Sequence, residues 1–308
     1  MHSQFDSCSL CPRGCKVNRN KGEKGFCKAG ALPKVARAAL HFWEEPCISG
    51  VNGSGTVFFS HCTLGCLFCQ NKEISHEGFG IEITDERLSE IFLELQDKGA
   101  HNINLVTPTH FAPNIIAAIK LAREKGLTIP TVYNCGGYET VDTIRELAPY
   151  IDIWLPDFKY FDNKAGMKYS HAVLYPQTAL NAINEMVKLA GPATLNDEDM
   201  MISGVMVRHL MLPGRLADSL KTVEMLYECF GDDIIISLMS QYTPPKVCDI
   251  DFAKKYPELC RRVNPRHYEA LVEFAEKLGI ERCYLQNICS AKEEYIPVFD
   301  GEGVTSQG

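Results

Sequence analysis

Three cysteines carry the first chemistry this sequence offers. The stretch Phe59-Ser60-His61-Cys62-Thr63-Leu64-Gly65-Cys66-Leu67-Phe68-Cys69-Gln70-Asn71 sets Cys62, Cys66 and Cys69 in C-x3-C-x2-C spacing. It follows directly on a β-branched and aromatic run, Thr56-Val57-Phe58-Phe59. Three thiolates on one short loop can hold three corners of a cubane iron–sulfur cluster and leave the fourth iron open to a small ligand. Gly65, between the ligands, lets the backbone curl around the inorganic core. The competing readings are ordinary buried thiols, or a structural zinc whose fourth ligand lies elsewhere. Zinc ribbons usually pair two C-x2-C knuckles, and no C-x2-C partner follows this loop.

A second set comes earlier. Cys8, Cys11, Cys15 and Cys27 lie in C-x2-C-x3-C-x11-C spacing among Arg13, Lys16, Arg19, Lys21 and Lys24. Four thiolates fit a structural zinc and a closed iron–sulfur cluster equally well, and the basic residues would offset their charge. Free thiols on a flexible arm are the alternative. Residues 1–34 hold too little apolar material for a core of their own, so a metal is expected to organise this small cysteine-rich extension. Residues 35–54 read as a linker, with Ala36-Arg37-Ala38-Ala39-Leu40-His41-Phe42-Trp43 as a strand or short amphipathic segment. Solitary Cys47 reads as a small buried hydrophobe.

The elements that must position the cysteine loop begin near residue 55. Short apolar runs at 55–60, 103–107, 130–134, 151–156, 204–211, 233–240 and 283–287 read as strands buried on both faces. Helical periodicity occupies 85–98, 112–125, 140–148, 178–190, 216–230 and 265–278. This alternation predicts an α/β fold over 55–308, an open, partial (β/α)6 parallel barrel with right-handed crossovers and a C-terminal tail. The 308 residues suffice for that domain plus the N-terminal extension.

In such folds chemistry gathers where the strands end. Polar residues that a plain core would not need stand there: Thr107 and Thr109 after the second strand, and Asn134 before Gly136 and Gly137 after the third. Asp157 and Lys159 follow the fourth strand, two apart and so on one face of an extended backbone. Arg208 interrupts an apolar fifth strand, where an unpaired guanidinium would be costly, and therefore needs a buried anion. Gln241 ends the sixth. His110 reads either as a helix cap or a satisfied surface imidazole, or as part of the site.

Composition narrows the partners. The net charge is −8, with 45% hydrophobic and 23% charged residues and no basic block, which argues against nucleic-acid binding or docking on an anionic membrane. No apolar run reaches the roughly 20 residues of a membrane span. The opening Met1-His2-Ser3-Gln4-Phe5-Asp6 is polar and carries no secretory leader, so the 14 cysteines are expected to serve metal chemistry in a reducing cytoplasm rather than a disulfide framework.

The cysteine loop, with Phe68 before its third cysteine, resembles the radical S-adenosylmethionine (SAM) superfamily. Cys8-Ser9-Leu10-Cys11-Pro12-Arg13-Gly14-Cys15, Glu45-Pro46-Cys47-Ile48-Ser49-Gly50, Gly53-Ser54-Gly55-Thr56-Val57-Phe58-Phe59, Asp157-Phe158-Lys159 and the tail Tyr295-Ile296-Pro297-Val298-Phe299-Asp300-Gly301 are similar to a subgroup related to the pyruvate formate-lyase activating enzyme (PflX-like). The resemblance implies a [4Fe-4S] cluster on Cys62, Cys66 and Cys69 that binds SAM and cleaves it reductively to a 5′-deoxyadenosyl radical for hydrogen abstraction. It further implies a flavodoxin- or ferredoxin-type electron donor and, as substrate, a glycine of a partner glycyl radical enzyme. On this reading Thr107 and Thr109 meet the SAM ammonium, where relatives carry a glycine-rich stretch. Asn134 meets a ribose hydroxyl or the methionine moiety unless it serves only its turn, and Asp157 with Lys159 faces the zwitterionic ligand unless the two form only a mutual ion pair. Arg208 takes the SAM carboxylate unless an internal Asp or Glu does, and Gln241 approaches the adenosine or the substrate. Radical chemistry on a small molecule or peptide is the alternative within enzymology, and a non-catalytic zinc-binding interaction protein the alternative outside it.

Overall fold

The apolar runs become strands because helices cover one face and packed side chains fill the other. In the computed structural model, which describes residues 2–286 and 297–305, ten strands form: β1 (Lys34–His41), β2 (Ser54–Phe59), β3 (Ile81–Glu82), β4 (Ile103–Val106), β5 (Thr131–Cys135), β6 (Ile153–Pro156), β7 (Thr194–Leu195), β8 (Met201–Leu210), β9 (Ile234–Met239) and β10 (Cys283–Leu285). Met1, Asn287 of the last expected strand, and Tyr295 and Ile296 of the tail lie outside the described residues. The helices are α1 (Pro46–Ser49), α2 (Lys72–Ser75), α3 (Asp85–Asp97), α4 (Ala112–Glu124), α5 (Val141–Leu147), α6 (Asn163–Ser170), α7 (Tyr175–Ala190), α8 (Leu216–Phe230), α9 (Ile250–Lys255) and α10 (Pro265–Lys277).

The sheet runs in the order β10-β9-β8-β6-β5-β4-β2-β1-β3, with β7 paired to β8. From β2 to β10 every neighbouring pair on this path is parallel. All seven expected strands are therefore present, and helical crossovers join them as the alternation predicts. β1 and β3 add an antiparallel edge, so the sheet is open.

Strand alternation divides the side chains into two sets. Tyr133, Trp154, Val205, Val207, Ile236 and Leu238 belong to the main core with the helices. Val132, Ile153, Leu155, Met206 and Ile235 form a separate cluster on the inner face, closed by Cys47 and Ile48 of α1. This corrects the reading of 35–54 as a linker. Its first part is β1, and its second part plugs the interior: Asn102 Nδ2 donates to the Ile48 carbonyl at 2.7 Å, and Ser237 Oγ donates to Glu45 Oε1 at 2.9 Å. The apolar Cys47-Ile48 pair is too short to announce itself as core by periodicity.

Other elements had no clear sequence signal. Helix α6, Asn-Lys-Ala-Gly-Met-Lys-Tyr-Ser, is mostly polar, and it starts on an Asp162 cap to the Lys164 N–H. The tail at 297–305 lies along β1, where Ala38 N–H donates to the Glu302 carbonyl and Gly301 N–H to the Ala36 carbonyl. One cysteine pair departs from the metal reading: Cys248 and Cys260 are disulfide-bonded, their Cα atoms 5.7 Å apart.

A tight backbone approach lies where β5 and β6 end. Gly137 has φ +75°, and a Cβ built on it would stand 2.2 Å from the Asp157 carbonyl oxygen. Gly126 also has positive φ, +105°, but opens on free space. Gly137→Ala should therefore cost about 2–4 kcal/mol and Gly126→Ala only about 1 kcal/mol. Urea midpoints check this, and equal losses at both positions would refute the clash.

Candidate active site

The cysteine loop leaves β2 through His61, whose φ of +72° turns the chain sharply. His61 N–H donates to the Ile74 carbonyl at 2.7 Å, and Leu67 N–H to the Tyr169 carbonyl at 2.8 Å, so α2 and α6 both brace the loop. Each of its three sulfurs accepts a hydrogen bond. Leu64 N–H reaches Cys62 Sγ at 3.4 Å, Ser170 Oγ–H reaches Cys66 Sγ at 2.9 Å, and Ser75 Oγ–H reaches Cys69 Sγ at 3.3 Å. Phe68 packs against Tyr160 and Tyr242 at ring-centroid distances of 6.5 and 6.0 Å. Sequence reading missed Ser75 and Ser170, because a lone serine at the end of a polar helix carries no pattern.

Burial pushes the Cys62 thiol up strongly, with neighbouring Cys66 adding to it. Burial also raises Cys66, opposed by the Lys159 ammonium. Thiols in this setting give up their protons to a bound metal rather than to water. Three sulfurs, each with one donor and a lysine nearby, suit a cluster that carries negative charge on its ligands.

The three cysteines line one cavity of about 240 Å³ at the carboxyl ends of the strands. Thr107, Asn134, Asp157, Lys159, Arg208 and Gln241 line the same cavity, so six of the seven expected ligand contacts converge on it. Asn134, Asp157 and Arg208 share inward parity with Val132, Leu155 and Met206, which is how alternating strands deliver them.

Thr109 is the exception and is corrected here. After β4 the chain enters a 3-10 turn, Thr109–Phe111, that rotates Thr109 away from the cavity. It is fully buried and donates to Glu139 Oε1 at 3.0 Å. Burial, only partly offset by the Thr109 hydroxyl, pushes Glu139 up to about 7. Next to it, His110 pairs its Nε2 with the Ser60 carbonyl at 2.8 Å, and burial lowers it to about 3. It is a hydrogen-bonded imidazole, but a buried one rather than the surface one expected.

Arg208 finds internal partners. Its Nε–H donates to Asp157 Oδ1 at 2.9 Å, Nη1 to Glu44 Oε2 at 3.0 Å and Nη2 to Asn134 Oδ1 at 2.5 Å. The internal-anion alternative thus accounts for its burial. Glu44 was not foreseen, since its segment read as a linker. Asp157 and Lys159 also pair with each other while both face the cavity. Burial works against the Asp157 charge, but Arg208 and then Lys159 outweigh it and hold this carboxyl below its usual range. Burial raises Glu44, with Arg208 opposing. Tyr175 of α7 locks the strand ends: its hydroxyl lies 2.8 Å from the Gly136 carbonyl and 2.9 Å from that of Asp157, and it accepts from Lys159 N–H at 3.0 Å.

Residues 56–226 match the radical SAM superfamily profile. The chain belongs to the radical SAM superfamily. Membership implies an enzyme with a [4Fe-4S] cluster and SAM, and the donor set of the cavity fits both groups. The chain is 28% identical over 289 residues to the uncharacterized protein MJ0674 of Methanocaldococcus jannaschii, covering 91% of this chain and 77% of that protein. Among solved structures, SuiB of Streptococcus suis bound to S-adenosylmethionine is similar in fold, with a TM-score of 0.50 at 12% identity over 76% of this chain. The match spans 50% of the SuiB chain. Among the described residues, no helix is long and apolar enough to cross a membrane.

Replacing Arg208 tests the charge arrangement of this radical SAM site. Arg208→Gln strands Glu44 and Asp157 without their main cation. Glu44, already raised by burial, rises further and Asp157 loses the larger of its two cations, so the folded chain binds more protons than before and stability falls as pH rises. The expected loss is about 3 kcal/mol at pH 8 and clearly smaller at pH 5, read from urea midpoints. A loss independent of pH would show that packing, not charge, is what Arg208 supplies.

Proposed function

We propose that this chain is an activating-enzyme-like radical SAM protein that removes a hydrogen atom from a glycine of a protein partner. The reading is carried by one observation: three hydrogen-bonded cysteine sulfurs share a single cavity with Lys159, Asp157, Asn134 and Thr107. Cys62, Cys66 and Cys69 would hold the cluster, whose open iron takes SAM. When bound, these groups supply one electron to the sulfonium and release a 5′-deoxyadenosyl radical that abstracts hydrogen. The chain's own residues bind and orient. Lys159 places positive charge beside Cys66 and is tethered by Asp157. With Arg208 engaged by internal partners, the SAM carboxylate falls to Lys159, while Thr107 and Asn134 offer bonds to the amino and ribose groups.

The size and rim of the cavity favour a macromolecular substrate. At about 240 Å³ the cavity lies just below the range of about 300–1,000 Å³ usual for small-ligand sites, and cluster and SAM both claim it. A substrate must therefore present itself at the mouth. Trp43 lines that mouth and is 55% exposed, beside Phe42 at 50% exposure. A glycine on an extended loop could enter there, since it brings no side chain. A flavodoxin- or ferredoxin-type protein is the proposed electron donor.

Two measurements test the proposal. Anaerobically reconstituted protein with dithionite should convert SAM to 5′-deoxyadenosine, and Cys66→Ala should reduce this to background. Continued turnover by that variant would overturn the cluster assignment. The substrate is tested with an extract from cells grown on α-deuterated glycine. Deuterium in deoxyadenosine is expected from the macromolecular fraction, and its transfer only from the small-molecule filtrate would sink the protein-glycine reading.

A further inference from the structure

The N-terminal extension contains a second set of thiols that the SAM site does not use. Cys8, Cys11, Cys15 and Cys27, separated by up to 19 positions, all line one small cavity. Two turns present them. In the first, Gly14 N–H donates to the Cys11 carbonyl at 3.0 Å and Lys16 N–H to the Cys8 carbonyl at 2.9 Å, with Gly14 and Lys16 at positive φ. In the second, Lys28 N–H donates to the Gly25 carbonyl at 3.1 Å, with Lys28 also at positive φ. Phe26 N–H points to Cys15 Sγ at 3.4 Å. A Cβ at Gly25 would stand 2.7 Å from that sulfur, so only glycine lets it close against the turn.

A buried cation gives the second, independent observation. Arg19 is 2% exposed. Its guanidinium donates to the carbonyls of Gly30 and His110, stacks 4.0 Å over the Phe5 ring, and approaches Cys8 Sγ at 4.0 Å. Among the described residues, no carboxylate forms a salt bridge with it. A buried guanidinium with only neutral partners lacks a counter-charge, and that is costly. Four thiolates around a divalent metal carry net negative charge, and so would four around a cluster.

We propose that Cys8, Cys11, Cys15 and Cys27 bind a metal centre as thiolates, with Arg19 as its counter-ion. The cavity that the four cysteines line with Arg19 and His110 is about 10 Å³, roughly one water-sized body. As they stand, no three His, Cys, Asp or Glu side chains among the described residues are drawn together around a single ion. Loading therefore draws the sulfurs in around a zinc or out around a cluster, and both take this ligand set. The centre also shapes the grip of the extension on the SAM loop. Arg13, between two of the cysteines, donates from Nε to the Thr63 carbonyl at 3.0 Å and from Nη2 to the Ser170 carbonyl at 3.2 Å, and stacks 3.7 Å from the Phe26 ring centre.

Metal analysis separates this centre from the SAM cluster. The test protein is a full-length variant with Cys62, Cys66 and Cys69 all changed to Ala, purified anaerobically. It should retain about one zinc without sulfide, or about four iron with matching sulfide, per chain. Adding Cys11→Ser and Cys27→Ser should bring that metal to background. A first variant free of both metals, or a second that keeps its metal, overturns the proposal. A readout on the unmodified protein does not depend on variant folding. Iodoacetamide should label exposed Cys229 at once and the four N-terminal cysteines only after a chelator is added. Immediate labelling of all four would count equally against the centre, and none of these outcomes depends on SAM cleavage.

Discussion

The site depends on charge neutralisation in a place that water barely reaches. Arg208 and Lys159 face Asp157 and Glu44 at the ends of β6 and β8 and at the plug that follows β1. None of these side chains is more than 19% exposed. Each charge is tolerable only while its partners stay within a few ångströms. That requirement fixes where three separate stretches of chain end relative to one another. The Asp157–Arg208 bridge continues the β6–β8 ladder past its last regular pair, and Tyr175 ties the same turn to Gly136. The cavity wall is thus held by ion pairs and backbone bonds together: Phe158 N–H donates to the Arg208 carbonyl at 2.8 Å and Asp157 N–H to the Cys135 carbonyl at 2.9 Å.

The cysteine loop solves a different problem with similar means. A loop that must keep three sulfurs facing one volume cannot rely on a ladder, so its backbone is bonded outward on several sides. The α2 end takes His61, the α6 end takes Leu67, and Arg13 of the extension caps Thr63. Those braces also bring the two hydroxyls, Ser75 and Ser170, that point at sulfur. Position and electronic tuning of the ligands therefore come from the same contacts. The segment after β9 adds a lid of its own kind: Tyr242 lies against Phe68 and donates to the Leu259 carbonyl at 2.6 Å, close to the Cys248–Cys260 bridge.

What was legible in the sequence was whatever has a period or a spacing. The seven parallel strands and their helices follow from apolar runs and amphipathic stripes, and the cysteine loop from its spacing. Asn134 and Asp157 were found because polar residues at strand ends stand out, and Arg208 because a guanidinium interrupts an apolar strand. Thr109 failed because it lies three residues beyond β4, where a 3-10 turn ends the alternation. Glu44 and the α1 plug failed because long-range packing, not local pattern, makes them core. The partners of Arg208 could be anticipated only as a class, since an anion was required but its identity depends on which segments the fold brings together.

The plug has a consequence for chemistry. In a parallel barrel the inner face must be filled, and strand side chains alone fill it in a closed eight-stranded form. Here the sheet is open, and Cys47 and Ile48 complete the inner cluster from a segment outside the βα alternation. Glu44 and Glu45 form the polar top of that plug, Glu45 bonded to Ser237 and Glu44 to Arg208. The floor of the cavity is therefore anchored, charged and shallow. A ligand that displaced it would have to strip Arg208 of a carboxylate, which is costly for a buried charge. On the reading proposed above, the reacting hydrogen would come past Trp43 and Gln241, which line the same cavity as the three cysteines.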